Sequence, residues 1–144
     1  MSGDCEFCRI ASGEAEASVV YENESVIAFL DLYPAGVGHT LVIPKEHWRS
    51  ISEVPEQVLA DVFVVVKLVA VAVTKAVAAE GVNVLQCNGK AAFQSVEHFH
   101  VHVIPRFEGD AIAKTIHAML APLGFERATR RELDAVAKRI RQYL

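Results

Sequence analysis

Three histidines alternate with apolar residues in one short stretch of the chain, EHFHVHVIPR (97–106). The residues between them are aromatic or β-branched, which favours a strand, and successive side chains of a strand point to opposite faces. The three imidazoles are therefore expected on one face, with their apolar neighbours in the core. Pro105 cannot donate a hydrogen bond within a sheet, so the strand is predicted to span 96–105. The histidines are His98, His100 and His102.

A row of imidazoles on one strand face is suited to chemistry on a substrate with negatively charged oxygens, such as a phosphate ester. Same-face neighbours lie about 6.5–7 Å apart, so three in a row are too widely spaced to bind one metal ion together. At least one or two rings should remain free. A free imidazole can attack, take up a proton or donate a hydrogen bond to an oxyanion near neutral pH. A solvated polar strand face is the alternative interpretation.

A pair of cysteines near the N-terminus, Cys5 and Cys8, has the spacing of half a tetrahedral zinc site. Two further ligands must come from elsewhere, and the candidates are His47, which follows a predicted strand, and His98, at the near end of the histidine row. A thioredoxin-like redox pair is the alternative, but it requires a βαβ unit, which the sequence lacks. We predict a structural zinc site that closes residues 1–12 onto the sheet.

The hydrophobic pattern predicts an α+β fold with a mostly antiparallel sheet, because strands come first, then a long helix, then further strands and helices. The long helix is expected over 55–80, between Pro55 in its first turn and Gly81 after its end. A helix over 110–120 and a basic amphipathic helix over 129–144, opened by a capping-box pattern, should follow the last strand. The five predicted strands are 18–23, 25–32, 39–43, 82–87 and 96–105.

The long helix is apolar around its whole circumference, which predicts that other elements pack against it on more than one side. For so small a chain this favours packing against its own sheet and against a second copy of the chain, in a homodimer. Valines simply tolerated on the surface are the alternative. Lys67, with Asp61 and Lys75 on either side, makes the most apolar stretch too short and too charged for a membrane span.

Length, charge and the first residues predict a single cytoplasmic domain without affinity for nucleic acid. The 144 residues are the length of one domain, which we take as 1–144. A net charge of −4 provides no basic surface for nucleic acid. The N-terminus lacks the apolar segment of a signal peptide, so a cytoplasmic location is expected.

Taken together, these motifs resemble those of the histidine triad (HIT) family. Its signature, in which histidines alternate with apolar residues, is matched by HFHVHVI (98–104). The resemblance extends over nearly the whole chain, through AFLDL (28–32), GHTLVIPK (38–45) and GKAAFQSV (89–96). The cysteine pair further resembles the zinc-carrying bacterial members.

The resemblance implies a HIT-like fold and a nucleotide hydrolase or transferase, usually a homodimer joined through its long helix and adjacent strands. By similarity, His100 attacks the α-phosphorus of a purine nucleotide, such as a nucleoside phosphoramidate, and forms a covalent nucleotidyl-histidine that water hydrolyses. Structural zinc would be held by the two cysteines, His47 and His98. The other implied contacts are those of His102, His39, Gln94 and Ser95 with phosphoryl oxygens, Asp31 with the ribose, and Phe29 and Leu32 with the base.

Two alternative functions remain open at this point. One is a dinucleoside polyphosphate hydrolase of the Fhit type, and the other is a nucleotide-binding module with weak catalysis. The second rests on two departures from the family pattern. Phe93 stands where a small residue, often glycine, precedes the glutamine, and Cys87 stands where many members carry asparagine. Glycine permits a close approach of backbone to phosphate that phenylalanine resists.

Overall fold

Five strands and three helices make up the part of the chain that the computed structural model describes, residues 4–110 and 126–144. In chain order they are α1 (Glu6–Ala11), β1 (Val19–Glu22), β2 (Val26–Leu30), β3 (Thr40–Pro44), α2 (Glu56–Val77), β4 (Gly81–Gln86), β5 (Val101–Arg106) and α3 (Arg130–Arg141). A short 3₁₀ turn, Lys90–Ala92, lies between β4 and β5. Apart from residue 110, the predicted helix over 110–120 lies outside the described residues, as does His117, to which the sequence assigns no role.

The strands form one sheet in the order β1-β2-β3-β5-β4, and every neighbouring pair is antiparallel. This confirms the predicted α+β fold with a five-stranded, mostly antiparallel sheet and one long helix. β1 and β4 form the two edges of the sheet. The pairing of β3 with β5 places Leu41 opposite His102, so the histidine row lies near the centre of the sheet.

The two faces of the sheet carry different parts of the core. α2 and α3 cover one face, where Phe99, Val101 and Val103 pack with the buried valines of α2. α1 covers the other face, where Phe7 packs with apolar side chains of β2 and β3. The ring of Phe7 also contacts the imidazole of His100. The residues between the histidines thus enter the core, as predicted, while the histidines lie on the side of α1.

The histidine strand is shorter than the sequence pattern predicted. β5 spans Val101–Arg106, so the first two histidines of the row precede it, whereas the pattern predicted a strand over 96–105. The N–H group of Phe99 donates to the carbonyl oxygen of Trp48 at 2.6 Å rather than to a neighbouring strand. The side chains still alternate between the two faces here, although the ladder of hydrogen bonds has not begun.

α2 is the core helix of the domain. Among the described residues it is the one helix that is long and apolar enough to cross a membrane, judged by length and composition alone. The expectation that this stretch is too short and too charged to do so therefore does not hold. Burial against the sheet and α3 accounts for the apolar residues on its inner face. Its buried residues are Val62, Val65, Val66, Val69, Ala72 and Val73.

Candidate active site and metal centre

Three imidazoles form a buried cluster where β3 pairs with β5. The rings of His100 and His102 have centroids 5.0 Å apart, and His39 Nε2 lies 3.0 Å from His102 Nδ1. His39 comes directly before β3, so the antiparallel pairing of β3 with β5 brings it to His102. All three residues are almost fully buried.

A hydrogen bond to the backbone fixes which ring nitrogen of His100 is free. His100 Nδ1 lies 2.7 Å from the carbonyl oxygen of His98, and a carbonyl only accepts, so Nδ1 carries the hydrogen. Burial lowers the pKa of His100, which keeps the ring neutral at pH 7. We infer that Nε2 holds the free electron pair, in a ring that lines a cavity. A neutral imidazole in this state can act as a nucleophile.

A second chain of hydrogen bonds fixes the other two imidazoles. The N–H group of Ala35 donates to His39 Nδ1 at 3.0 Å, and burial lowers the pKa of His39 to about 3, so its hydrogen lies on Nε2. His39 Nε2 then donates to His102 Nδ1. Burial also lowers the pKa of His102 to about 2, so its single ring hydrogen lies on Nε2. His102 therefore carries an N–H donor, in a ring whose centroid lies 5.0 Å from that of His100.

Asp31, directly after β2, supplies a buried carboxylate to the cavity. Its Oδ1 accepts a hydrogen bond from the N–H group of Tyr33 at 2.9 Å, and its Oδ2 lies 3.5 Å from His39 Nε2. Burial raises the pKa of Asp31 to about 6, against the opposing effects of the Tyr33 N–H group and of His100. The carboxyl is therefore mostly ionised at pH 7 and can accept further hydrogen bonds.

A cavity of about 240 Å³ lies between α1, the sheet and the start of α3. The predicted residues that line it are Phe29, Asp31, Leu32, Ser95, His100 and His102. His39 lies behind His102 instead. Sequence reasoning did not assign several other lining residues to the cavity, because their segments reach it only through tertiary packing. They include Glu6, Phe7, Ile10, Glu16 and Arg130.

Gln94 holds a loop in this structure and is not part of the cavity lining. Its Nε2 donates to the carbonyl oxygens of Arg49 at 2.6 Å and Val96 at 3.0 Å, so both amide hydrogens are used. Its Oε1 accepts from the N–H group of Gly89 at 2.7 Å. The contact of Gln94 with a phosphoryl oxygen stays a prediction, and it requires one of these bonds to break.

Two cysteines and two histidines converge beside α1. One ligand atom from each of Cys5, Cys8, His47 and His98 lies within 4.8 Å of all the others. His98 Nδ1 lies 3.4 Å from both sulfurs, and His47 Nδ1 lies 3.2 Å from Cys8 Sγ. With the usual bond lengths of a tetrahedral zinc site, nitrogen and sulfur ligands lie about 3.5 Å apart. The donor atoms and their spacing therefore fit a zinc ion.

Local structure explains how these four side chains meet. Cys5 is the N-cap of α1 and Cys8 lies in its first turn, so the helix places both thiols on one side. The two histidines flank the paired strands, one after β3 and one before β5. His98 Nε2 donates to the carbonyl oxygen of Pro44 at 2.8 Å, which leaves Nδ1 free to bind a metal ion.

Comparison with known proteins places the chain in a family. The HIT domain family matches residues 12–109. The adenosine 5′-monophosphoramidase of Schizosaccharomyces pombe is 43% identical over 102 residues, which cover 71% of this chain and 74% of the relative.

Two crystal structures are also similar. A hypothetical histidine triad nucleotide-binding protein from Sulfolobus tokodaii has a TM-score of 0.84 at 38% identity, with 96% of this chain and 91% of that chain covered. A zinc-bound histidine triad family protein from Mycobacterium smegmatis has a TM-score of 0.80 at 36% identity, with 97% and 92% covered. The chain therefore belongs to the HIT family.

Proposed function

We propose that this chain hydrolyses or transfers a nucleotide by attack of His100 on the α-phosphorus. The protonation pattern of the imidazoles carries the proposal. His100 has its free electron pair on Nε2, and His102 has its hydrogen on Nε2, in the lining of one cavity. A nucleophile beside a hydrogen-bond donor suits displacement at a centre that bears negative oxygens.

The proposed reaction has two displacements. In the first, His100 Nε2 forms a bond to phosphorus while the bond to the leaving group breaks, and an amine leaving group departs with the electron pair and takes up a proton from solvent water. His102 Nε2 donates a hydrogen bond to a phosphoryl oxygen, and His39 holds His102 in the tautomer that this requires. In the second, the oxygen of water bonds to phosphorus while the bond from phosphorus to His100 Nε2 breaks, and a proton of that water passes to solvent. The nucleoside monophosphate leaves and His100 is neutral again.

A purine nucleoside phosphoramidate is the proposed substrate. The yeast relative is named for adenosine 5′-monophosphoramidase activity, and the cavity offers matching groups. The ionised carboxylate of Asp31 suits the ribose hydroxyls, which donate hydrogen bonds. Phe29 and Leu32 supply apolar surface for the base, and Ser95 supplies a hydroxyl near the phosphate.

Covalent labelling tests the nucleophile. Wild-type protein quenched during turnover of a nucleoside phosphoramidate labelled at the α-phosphorus should carry label that survives denaturation. His100→Ala should carry none and should turn over substrate at least a thousandfold more slowly, while it still binds AMP. Unchanged turnover by His100→Ala would refute the assignment, and AMP binding without any turnover by the wild type would show a binding module instead.

We also propose that Cys5, Cys8, His47 and His98 hold a structural zinc ion. The geometry of the four donors and the zinc-bound Mycobacterium smegmatis relative support this. The ion would fix α1, and with it one wall of the cavity, to the sheet. Purified protein should contain about one zinc per chain, and Cys5→Ser should lose it and melt at a lower temperature.

Cys87 provides the matched control for the zinc experiment, since it is the other free thiol of the chain and lies outside this cluster. Cys87→Ser should keep its zinc. Metal analysis that finds no zinc in the wild type, or equal loss in both variants, would contradict the assignment.

We further propose that two chains pair through α2 and β4. Four side chains of α2 and two of the edge strand β4 are large, apolar and exposed, and exposed apolar surface of this extent marks an interface. They are Phe63, Val64, Leu68, Val71, Val82 and Val84.

Sedimentation tests the dimer. The wild type should sediment with twice the mass of the 15.7 kDa chain, and Leu68→Asp should sediment as a monomer. Leu144→Asp is the control, because Leu144 is 44% exposed, close to the 42% of Leu68, but lies outside this surface. A wild-type monomer at micromolar concentration would exclude the pairing.

A further inference from the structure

The cavity runs across the sheet from the histidines toward β1. His102 lies on β5, and the lining also includes Glu16 and Ala17, which come shortly before β1. From β5 through β3 and β2 to β1 are three strand spacings, or about 14 Å. This is close to the length of an extended nucleoside monophosphate. With phosphorus at the histidines and the ribose at Asp31, the base lies at the β1 end.

Two charged residues line the cavity at this end, Arg130 at the start of α3 and Glu16 before β1. Arg130 Nη1 donates to Ser18 Oγ at 2.8 Å, and Ser18 Oγ donates to Asp134 Oδ1 at 2.6 Å, so the guanidinium is held in place. Its remaining contacts are weak. Nη2 lies 3.5 Å from the carbonyl oxygen of Glu16, and Nε, 3.4 Å from Glu16 Oε1, makes no hydrogen bond.

Backbone contacts fix the start of α3 at the cavity. The N–H group of Ala128 donates to the carbonyl oxygen of Leu32 at 3.0 Å, next to the lining. Thr129 and Glu132 form a capping box that begins the helix at Arg130. Arg130 lies outside residues 12–109, the range that matches the HIT domain family.

We propose that Arg130 and Glu16 read the edge of the base and favour a 6-oxopurine such as guanine over adenine. A guanidinium only donates hydrogen bonds, and guanine offers it two acceptors, O6 and N7, whereas adenine presents an amino donor at C6. A carboxylate only accepts, and guanine offers it the N1 and N2 hydrogens. The pair therefore complements guanine more fully than adenine. This inference rests on the proposed function for the orientation of the nucleotide.

Binding of nucleoside monophosphates tests the inference without any need for turnover. Calorimetry on the wild type should show tighter binding of GMP than of AMP. Arg130→Met should weaken GMP binding about tenfold and AMP binding less than twofold. Arg131→Met is the matched control, since Arg131 is the next residue of the same helix but is exposed and outside the lining, and it should leave both affinities unchanged.

Two milder variants guard against a change in folding. Arg130→Lys keeps the charge but not the planar pair of donors, and Glu16→Gln replaces acceptor oxygens with an amide; each should lower the preference for GMP. Equal loss of AMP and GMP binding in Arg130→Met, or tighter binding of AMP by the wild type, would overturn the inference. A preference for GMP with no covalent label on His100 would support the inference about the base and contradict the proposed reaction.

Discussion

Phe93 has a backbone conformation that its side chain disfavours. Its φ is 68°, in the left-handed region, and its side chain is 52% exposed. Such a conformation costs about 1–2 kcal/mol for a residue with a Cβ atom and nothing for glycine. It is held by the N–H group of Phe93, which donates to the carbonyl oxygen of Lys90 at 3.0 Å. A glycine at this position would avoid this cost.

We predict that Phe93→Gly is more stable than Phe93→Ala by about 0.5–1 kcal/mol. Both variants remove the exposed ring, but only glycine relieves the strained φ, and part of that gain is offset by the greater freedom of glycine in the unfolded chain. Urea unfolding of the two variants measures the difference. Equal stabilities would show that the left-handed conformation is not strained.

At the scale of single residues, spacing predicted where the histidines lie but not how they are protonated. The alternation from His98 to His102 was enough to place the three rings on one side. The tautomer of His98 depends on the carbonyl oxygen of Pro44, and that of His102 depends, through His39, on the N–H group of Ala35. No local pattern encodes these two partners, whereas the tautomer of His100 follows from a bond to the carbonyl oxygen of His98, two residues earlier.

The turn between β2 and β3 is fitted closely against α2. Gly38 has a φ of 94°, and a Cβ atom added to it would lie 3.2 Å from Val73 and 3.3 Å from Val77. Gly36, two residues earlier, has open space around it. The two glycines of one turn therefore differ in what they tolerate.

We predict that Gly38→Ala lowers the free energy of unfolding by about 2–4 kcal/mol, because it adds both backbone strain and overpacking. Gly36→Ala, the control in the same turn, should change it by less than about 0.5 kcal/mol. Thermal or urea unfolding gives both values. Similar effects of the two substitutions would mean that the contact with α2 does not constrain the turn.

The sequence predicts a helix or strand best where the hydrophobic pattern of the side chains and the backbone hydrogen bonds cover the same residues. The long helix satisfies both, and the structure places it at Glu56–Val77. They disagree at the start of β5, where the pattern begins at residue 96 but Phe99 donates to Trp48 outside the sheet. A strand assigned from alternation alone must begin too early in such a segment, because alternation reports which side is buried and not which groups are hydrogen-bonded.

At the scale of the whole molecule, the cavity is the least local feature. It joins α1, the ends of β2 and β5 and the start of α3, and Arg130 is 99 positions from Asp31 in the sequence (130 − 31). The motif residues around its histidines could be found by spacing. The charged pair Arg130 and Glu16 could not, because only the docking of α3 beside β1 brings them together.

The buried imidazoles should make the stability of the fold depend on pH. In the unfolded chain His39 and His102 take up protons below pH 6.5, but in the fold burial lowers their pKa values to about 3 and about 2. The unfolded state therefore binds more protons as the pH falls, and stability is lost. Asp31 acts in the opposite direction, because burial raises its pKa from 3.8 to about 6 and the fold takes up its proton first. His100, which faces all three, also has a pKa lowered by burial.

We predict that His39, His102 and Asp31 together lower the free energy of unfolding by about 3 kcal/mol from pH 7 to pH 5, since each of the two imidazoles contributes a loss of about 2 kcal/mol and Asp31 offsets about 1 kcal/mol. His39→Gln keeps an N–H donor but removes one titrating group, so its stability should fall by about 2 kcal/mol less over the same range. Urea unfolding of both proteins at pH 7 and pH 5 measures this. The zinc ligands are the same in both proteins, so their response to acid cancels in the comparison. Equal losses in the two proteins would show that His39 accepts a proton in the folded state as readily as in the unfolded chain, which its burial and its bond from Ala35 argue against.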